Sequence, residues 1–546
     1  MTNIIFSRKE FEKQIKITSE VQDKITAFGT PLESVNQESI EIEVFANRPD
    51  LISINGFMRS FKSFLGKETG LKSYKINKPE KDYRINIDKS VKEVRPYTAC
   101  AIVKGLNLTD WQIKDIINMQ EKLALTLGRN RKKMGIGIYP LDKIKLPLIY
   151  TAKNKSEIKY QPLGFDRELS AKEILLLHPT GKKYEHLLAN HSKYPLFIDA
   201  NKEILSMPPI VNSEKTGRIN SGTKEVFIEC TGTDKRVLEK TLIIVSSALA
   251  EIGGKIYQME IIDSEKSITP DFTPQKMKIS LNSVNKLLGL SLNENQISQM
   301  LNRMGHNYRS GNVEIPPWRT DILHEVDLIE DIAIAYGYNN FITEIPNIST
   351  SGEESKESIF KRKISETLVG LGMLEISSYH LIKEEEKELC TQKEIIELED
   401  SKTEYKVLRP NLFIPMLRTL AENKDAEYPQ KIFEIGRVFA INNQKETGIS
   451  EKDNLIIGLS PSNFTECKQY IDYLFNSLQI TYSIKELSQT NFIDGRTGAI
   501  ILNNKTIGHI GEVHPNCLKK VGIKMPLSIA EISLEEIYKL INENNP

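Results

Sequence analysis

The chain has 546 residues, too many for one hydrophobic core, and its length predicts three to five domains. Lysine plus arginine and aspartate plus glutamate number 73 each, so no overall charge announces a nucleic-acid partner, and any such contact must be a local patch. Five cysteines (Cys100, Cys230, Cys390, Cys467, Cys517) lack CxxC spacing, which argues against a disulfide framework and a cysteine zinc site. Met1–Ile15 lacks the apolar core of a signal peptide, and no uncharged run is long enough to span a bilayer, so a soluble, cytoplasmic protein is expected.

In chain order, Ile40, Ile42 and Val44 alternate with Glu41, Glu43 and Phe45 as in a half-buried strand. Asn47-Arg48-Pro49-Asp50 then marks a turn, and Gly56, Phe57, Phe61 and Leu65 predict an amphipathic helix packed back on the strand. A structural role is preferred here over a chemical one. Beyond Arg95 a strand leads into a helix, with Asp110 as candidate N-cap and helical spacing from Ile113 to Leu127. Arg129, Arg131, Lys132 and Lys133 follow as the densest basic cluster. A solvated face is the first reading, and phosphate contact the second.

Phe197-Ile198 and Ile204-Leu205 flank a polar turn and predict a hairpin, and Val226–Cys230 predicts a further strand. Hydrolysis of an ester needs a positioned water, a polar group to orient it and donors for the oxyanion. Ser206, Asn212 and Glu229 are polar groups of that kind, although Ser206 has no evident histidine partner and a serine triad is unsupported. On the residues alone, a well-satisfied turn is the preferred reading. A helix closes on Gly253-Gly254, and Ile268–Pro274 is a proline-marked linker.

From Asp271 to Pro346 a strand (Met277–Ile279), two helices (Leu281–Leu288 and Asn293–Met304) and a short strand at Val313–Ile315 suggest a small winged-helix-like domain. Pro316-Pro317 cannot sit inside a helix, so one is expected to start near Asp321 and to end at Gly337. On it Asp327, Glu330 and Asp331 share a face at i, i+3 and i+4, with Asp321 two turns back. These carboxylates either complement the helix dipole or converge on a hard cation such as magnesium, and both readings stand on physical grounds. The last region, from about residue 355, opens with a helix at Ile359–Leu371 and a strand at Leu374–His380. Arg418 and Arg437 read as structural.

The run Arg319–Tyr338, R-T-D-I-x-H-E-x-D-L-I-E-D-I-A-x-x-Y-G-Y, resembles the signature of the phenylalanyl-tRNA synthetase beta-subunit family of the archaeal and eukaryotic type. Asn47–Gly56 (N-R-P-D-L-x-S-x-x-G), the Gly105–Asp110 and Gly128–Lys133 pair, Phe197–Asp234 and Ile507–Ile537 also resemble that family. The resemblance implies a multidomain α+β chain: an N-terminal α/β domain (1–77), a mixed α/β editing module (78–269), the winged-helix-like domain (271–346), and an antiparallel class II synthetase-like core (355–546). That core lacks the arginine motifs of a working active site.

The implied function is ATP-dependent attachment of phenylalanine to tRNA(Phe) as an alpha-two beta-two tetramer, with ATP and the aminoacylation site on the alpha subunit. This chain would hydrolyse mischarged tyrosyl-tRNA(Phe), with Glu229 reading the tyrosine hydroxyl and Ser206 and Asn212 orienting ester or water. Asp321, Asp327, Glu330 and Asp331 would bind Mg2+, bracing the subunit or its junction with alpha. The alternatives are a tRNA-binding scaffold with a decayed editing pocket, and a free-standing deacylase.

Overall fold

The structure is a computed structural model that describes residues 2–391, 394–399 and 401–544. The chain forms two compact units, residues 1–345 and 346–546. No helix among the described residues is long and apolar enough to cross a membrane.

The first unit begins with a three-stranded antiparallel sheet in which Ser39–Val44 lies between Thr2–Ser7 and Leu32–Val35. The alternation of Ile40, Ile42 and Val44 turns these three side chains into the core, as their spacing predicts. Arg48 forks onto Asp50 through two 2.9 Å hydrogen bonds, so the Asn47–Asp50 turn is structural. Ser53 accepts from the Gly56 amide and caps the helix Ile54–Phe64, whose Phe57, Phe61 and Phe64 rings gather around Phe28.

An eleven-stranded mixed sheet follows. Its path runs from Val211–Asn212 through Ile204–Met207, Lys193–Ile198, Leu148–Asn154, Arg84–Ile87, Lys255–Ile262, Tyr97–Lys104 and Glu225–Gly232 to Met134–Pro140. The expected hairpin is present, with Phe197 opposite Ser206 and Ile198 opposite Ile204. One face packs on the helices Asp110–Leu125 and Lys235–Ala250, where Val226, Ile228 and Cys230 meet Leu238, Leu242, Ile116 and Met119. The alternate residues of the same strand, Phe227, Glu229 and Thr231, point the other way. The first of those helices is capped by Thr109, not by Asp110 as expected. Thr109 and Gln112 form a reciprocal capping box, and Asp110 becomes the first helical residue.

This unit also holds a three-stranded sheet in the order Gln275–Lys278, Asn312–Ile315, Asn307–Arg309, packed on Leu281–Leu288, Glu294–Arg303 and Glu325–Tyr336. The last helix starts at Glu325, four residues after the expected Asp321, with His324 as N-cap.

The second unit is built on a seven-stranded sheet in the order Leu374–Glu375, Gln430–Ile441, Ile449–Ser460, Ser528–Ser533, Lys505–Val513, Phe492–Leu502, Ser483–Glu486. It is antiparallel except for its first pair. One face carries the helices Lys356–Gly370, Phe464–Ser477 and Leu534–Asn544. The other carries Phe413–Glu422 and Pro515–Val521. The predicted strand Leu374–His380 is cut to Leu374–Glu375, because beyond Ile376 the chain leaves the sheet and Ser378 binds the buried Glu434. Arg418 pairs with Glu386 at 3.4 Å, and Arg437 with Glu451 and Asp453 at 3.0 and 3.2 Å, in accord with their structural reading.

Candidate functional site

The eleven-stranded sheet curls until its two ends face each other, and side chains span the gap. Tyr139 on the last strand reaches Asn212 on the first, its hydroxyl 3.1 Å from Asn212 Oδ1 and 3.1 Å from Glu229 Oε1. Glu229 sits directly opposite Gly137 in the ladder. A Cβ at Gly137 would lie 2.4 Å from the Tyr139 hydroxyl and 2.6 Å from Glu229 Oε1, so glycine there makes room for both groups.

Burial pushes the Glu229 carboxyl up to about 8, against the lowering influence of the Tyr139 hydrogen bond and of nearby Arg95. The Tyr139 hydroxyl lies within donating reach of both Glu229 Oε1 and Asn212 Oδ1 and so ties the two residues together. Glu229 Oε2 has no partner among the described residues.

Glu229 and Asn212 line a cavity of about 430 Å3 together with His178, Arg131, Ile136 and the Pro208-Pro209 segment. Ser206 does not line it. It is 1% exposed, lies opposite Asn212 in the neighbouring strand, and sits beside the Tyr139 hydroxyl without a well-formed hydrogen bond. The structure thus brings Asn212 and Glu229 to one cavity and places Ser206 in the wall behind them.

Two contributors, Tyr139 and His178, were not singled out by sequence reasoning, and a third, Arg131, was read only as part of a basic cluster. Tyr139 looks like an ordinary strand aromatic in G-I-G-I-Y-P, although the two glycines flanking its approach are the signal of a close packing site. His178 lies far away in sequence. Its Nδ1 accepts from Thr180 N–H (3.2 Å) and faces Thr180 Oγ1 (2.7 Å), while Nε2 lies 3.0 Å from the Leu163 carbonyl. Nε2–H therefore donates to Leu163. Both nitrogens are engaged and neither reaches Ser206, which removes the serine triad on structural grounds.

Arg131, expected within a basic cluster, turns inward. It donates to the carbonyls of Pro209 (2.8 Å) and Ile210 (3.0 Å), reaches Glu121 at 2.5 Å and stacks over Tyr184. Arg129, Asn130 and Arg131 all adopt left-handed φ values of 46°, 54° and 63°, and this turn aims Arg131 at the cavity floor. Lys133 pairs with Asp234 at 3.0 Å, leaving Arg129 and Lys132 as the exposed members of the cluster.

The acidic helix is a correction to the expected convergence. Asp331 turns into the core, where it meets His306 (2.7 Å) and Arg319 (2.8 Å). Burial would raise its pKa, but Arg319 and then His306 hold it far below the usual carboxylate range. Asp321 takes the other fork of Arg319 through bonds of 2.8 and 2.7 Å. Asp327 folds back over the helix start and accepts from the amides of Leu323 and His324, each at 2.7 Å. Glu330 is exposed. Asp321 and Asp331 share the Arg319 guanidinium while Asp327 is held by backbone amides, and among the described residues no group of three or more His, Cys, Asp or Glu is placed to hold a metal ion. In this conformation the four residues do not fit a magnesium site of this chain alone.

Comparison with known proteins defines the class first. Residues 277–338 match the tRNA synthetase B5 domain, and residues 342–534 match the phenylalanyl tRNA synthetase beta chain CLM domain, so the class is that of an aminoacyl-tRNA synthetase subunit. The phenylalanine–tRNA ligase beta subunit of Thermococcus kodakarensis is 36% identical, with 97% of this chain and 98% of that protein covered. That of Pyrococcus abyssi is 38% identical over 90% of each, and that of Archaeoglobus fulgidus 36% over 95% of each. A solved N-terminal fragment of the phenylalanyl-tRNA synthetase beta subunit of Pyrococcus horikoshii superposes with a TM-score of 0.59. It is 37% identical and spans 61% of this chain and 99% of the fragment. The chain belongs to the phenylalanine–tRNA ligase beta-subunit family.

Proposed function

We propose that this chain works with an alpha subunit in the ATP-dependent attachment of phenylalanine to tRNA(Phe), and that its own chemistry is hydrolytic removal of tyrosine from mischarged tyrosyl-tRNA(Phe). The observation that carries the editing part is the Glu229–Tyr139–Asn212 chain at the wall of a 430 Å3 cavity, with Glu229 Oε2 unpartnered among the described residues. An apolar pocket rejects an added hydroxyl weakly. A buried polar group that needs a partner favours the hydroxylated side chain strongly, because the analogue lacking it leaves that group unsatisfied. Tyrosine would supply its phenol to Glu229 Oε2, and phenylalanine would not.

Asn212 is the group positioned to orient the ester or the attacking water, and Ser206 props the strand behind it. Water adds to the ester carbonyl, the bond to the ribose oxygen breaks, and tyrosine and the free tRNA terminus leave. We assign no side-chain general base, since His178 is engaged at both nitrogens. ATP and the aminoacylation site are assigned to the alpha subunit of an alpha-two beta-two tetramer in the cytoplasm. Magnesium would act there with ATP, and the carboxylates of Asp321, Asp327, Glu330 and Asp331 are given structural roles here.

The experiment is deacylation of tyrosyl-tRNA(Phe) by the purified complex. A rate well above the uncatalysed one is expected, with phenylalanyl-tRNA(Phe) spared. A rate equal to that without protein would instead favour the non-catalytic scaffold.

A further inference from the structure

The second unit holds a polar site unrelated to the editing cavity. On the sheet face that carries Ile456 and Ile529, strand alternation also places Asn454, Glu531, Ser533 and His509. They form two cross-strand pairs, Asn454 opposite Ser533 and Glu531 opposite His509. The apolar half of this face is covered by Phe413–Glu422 and Pro515–Val521. The polar half lines a cavity of about 210 Å3, whose wall also includes Asn491, Phe413 and Ile507. A water occupies about 30 Å3 of liquid, so the space is worth roughly seven waters, enough for a compact organic molecule.

Its polar groups are incompletely satisfied by the chain. Glu531 is 4% exposed. Its Oε1 accepts from the Leu412 amide (3.0 Å) and from Asn454 Nδ2 (2.8 Å), while Oε2 has no partner among the described residues. His509 Nε2 and Ser533 Oγ, on the same wall, have none either. No lysine or arginine lines the cavity among the described residues. The nearest buried guanidinium, Arg409, is engaged by Glu434 at 2.8 Å.

We propose that this cavity binds a small cationic amine, with its ammonium on Glu531 Oε2, His509 Nε2 and Ser533 Oγ and its apolar part against Phe413 and Ile507. An ammonium has three donors and no acceptor, matching three acceptor-capable atoms on one wall. With no lysine or arginine among the described lining residues the wall favours a cation over an anion, and the Phe413 ring adds a face that favours positive charge. Burial pushes His509 down to about 4, so its ring is neutral, and its Nε2 can accept in the tautomer protonated at Nδ1. Burial raises Glu531 against the Leu412 amide, Asn454, the Phe413 amide and the charge of Arg409, and a cation at Oε2 would add to that opposing set.

The test is calorimetric titration of the full chain with 2-phenylethylammonium and, separately, with phenylacetate, which carries the same ring and the opposite charge. The ammonium is expected to bind, with phenylacetate at least about tenfold weaker. Glu531→Gln, which keeps the bonds to Leu412 and Asn454 possible, is expected to weaken the ammonium about tenfold or more, the scale of a lost hydrogen bond to a charged group. No binding at millimolar ammonium, equal binding of the two probes, or an unchanged affinity in a folded Glu531→Gln chain would each overturn the proposal. If that variant does not fold, the two-probe comparison on the natural chain decides alone.

Discussion

Glu229 carries a pH signature that belongs to the residue itself. Its folded value of about 8 lies above its ordinary 4.5, so the folded state holds a proton that the unfolded chain releases. The resulting stabilisation is complete below 4.5 and is lost as pH rises toward 8. Replacing Glu229 with Gln should therefore flatten the stability profile between pH 5 and 8, the difference from the natural chain reaching on the order of a few kcal/mol in thermal melts. Gly137→Ala should have a different effect. Its Cβ would press on the Tyr139 hydroxyl and on Glu229, both buried, so deacylation of tyrosyl-tRNA should fall steeply. Asp331 has the opposite sign to Glu229. Its lowered value adds stability above the ordinary carboxylate range that disappears in acid, and Asp331→Ala should cost about 3–5 kcal/mol by breaking a buried pair and leaving Arg319 with Asp321 alone. At this scale the sequence offers Asn212 and Glu229 as polar groups suited to ester hydrolysis, although on the residues alone a satisfied turn is preferred. It hides Tyr139, because strand periodicity assigns a tyrosine there to the core without saying which atom its hydroxyl will find.

The acidic helix separates what periodicity specifies from what it leaves open. Asp327, Glu330 and Asp331 do occupy neighbouring helical positions, as their spacing requires. Side-chain direction is decided by partners from elsewhere: Arg319 and His306 pull Asp331 inward, and the bare amides of Leu323 and His324 draw Asp327 to the helix start. The helix begins at Glu325 for the same reason, since Asp321 is held in the preceding loop by Arg319. Asp327→Ala should cost about 1 kcal/mol, the usual scale of a lost cap, and should do so equally with and without magnesium. A loss confined to magnesium-containing buffer would restore the metal reading. The turn at Arg129–Arg131 offers a further check at this scale. Arg129 is exposed in a left-handed conformation, and Arg129→Gly should raise stability by about 1 kcal/mol in denaturant melts.

At the scale of the whole molecule, the least legible feature is the curl of the eleven-stranded sheet. The individual strands and the Phe197–Leu205 hairpin follow from alternation and turn residues, whereas the meeting of Tyr139 with Asn212 depends on the summed twist of the strands between them. The site is a product of that closure, which is why a local reading of Ser206–Glu229 favours a satisfied turn. The family match over nearly the full length supplies the function of the assembly, and the cavity supplies the reading of this chain's own part in it. The most direct measurement is the ratio of deacylation rates on tyrosyl-tRNA(Phe) and phenylalanyl-tRNA(Phe), determined for the natural complex and for Glu229→Ala. The account predicts a ratio strongly in favour of tyrosine that falls by about tenfold or more in the variant, the scale of one buried hydrogen bond to an ionisable group. An unchanged ratio would contradict it.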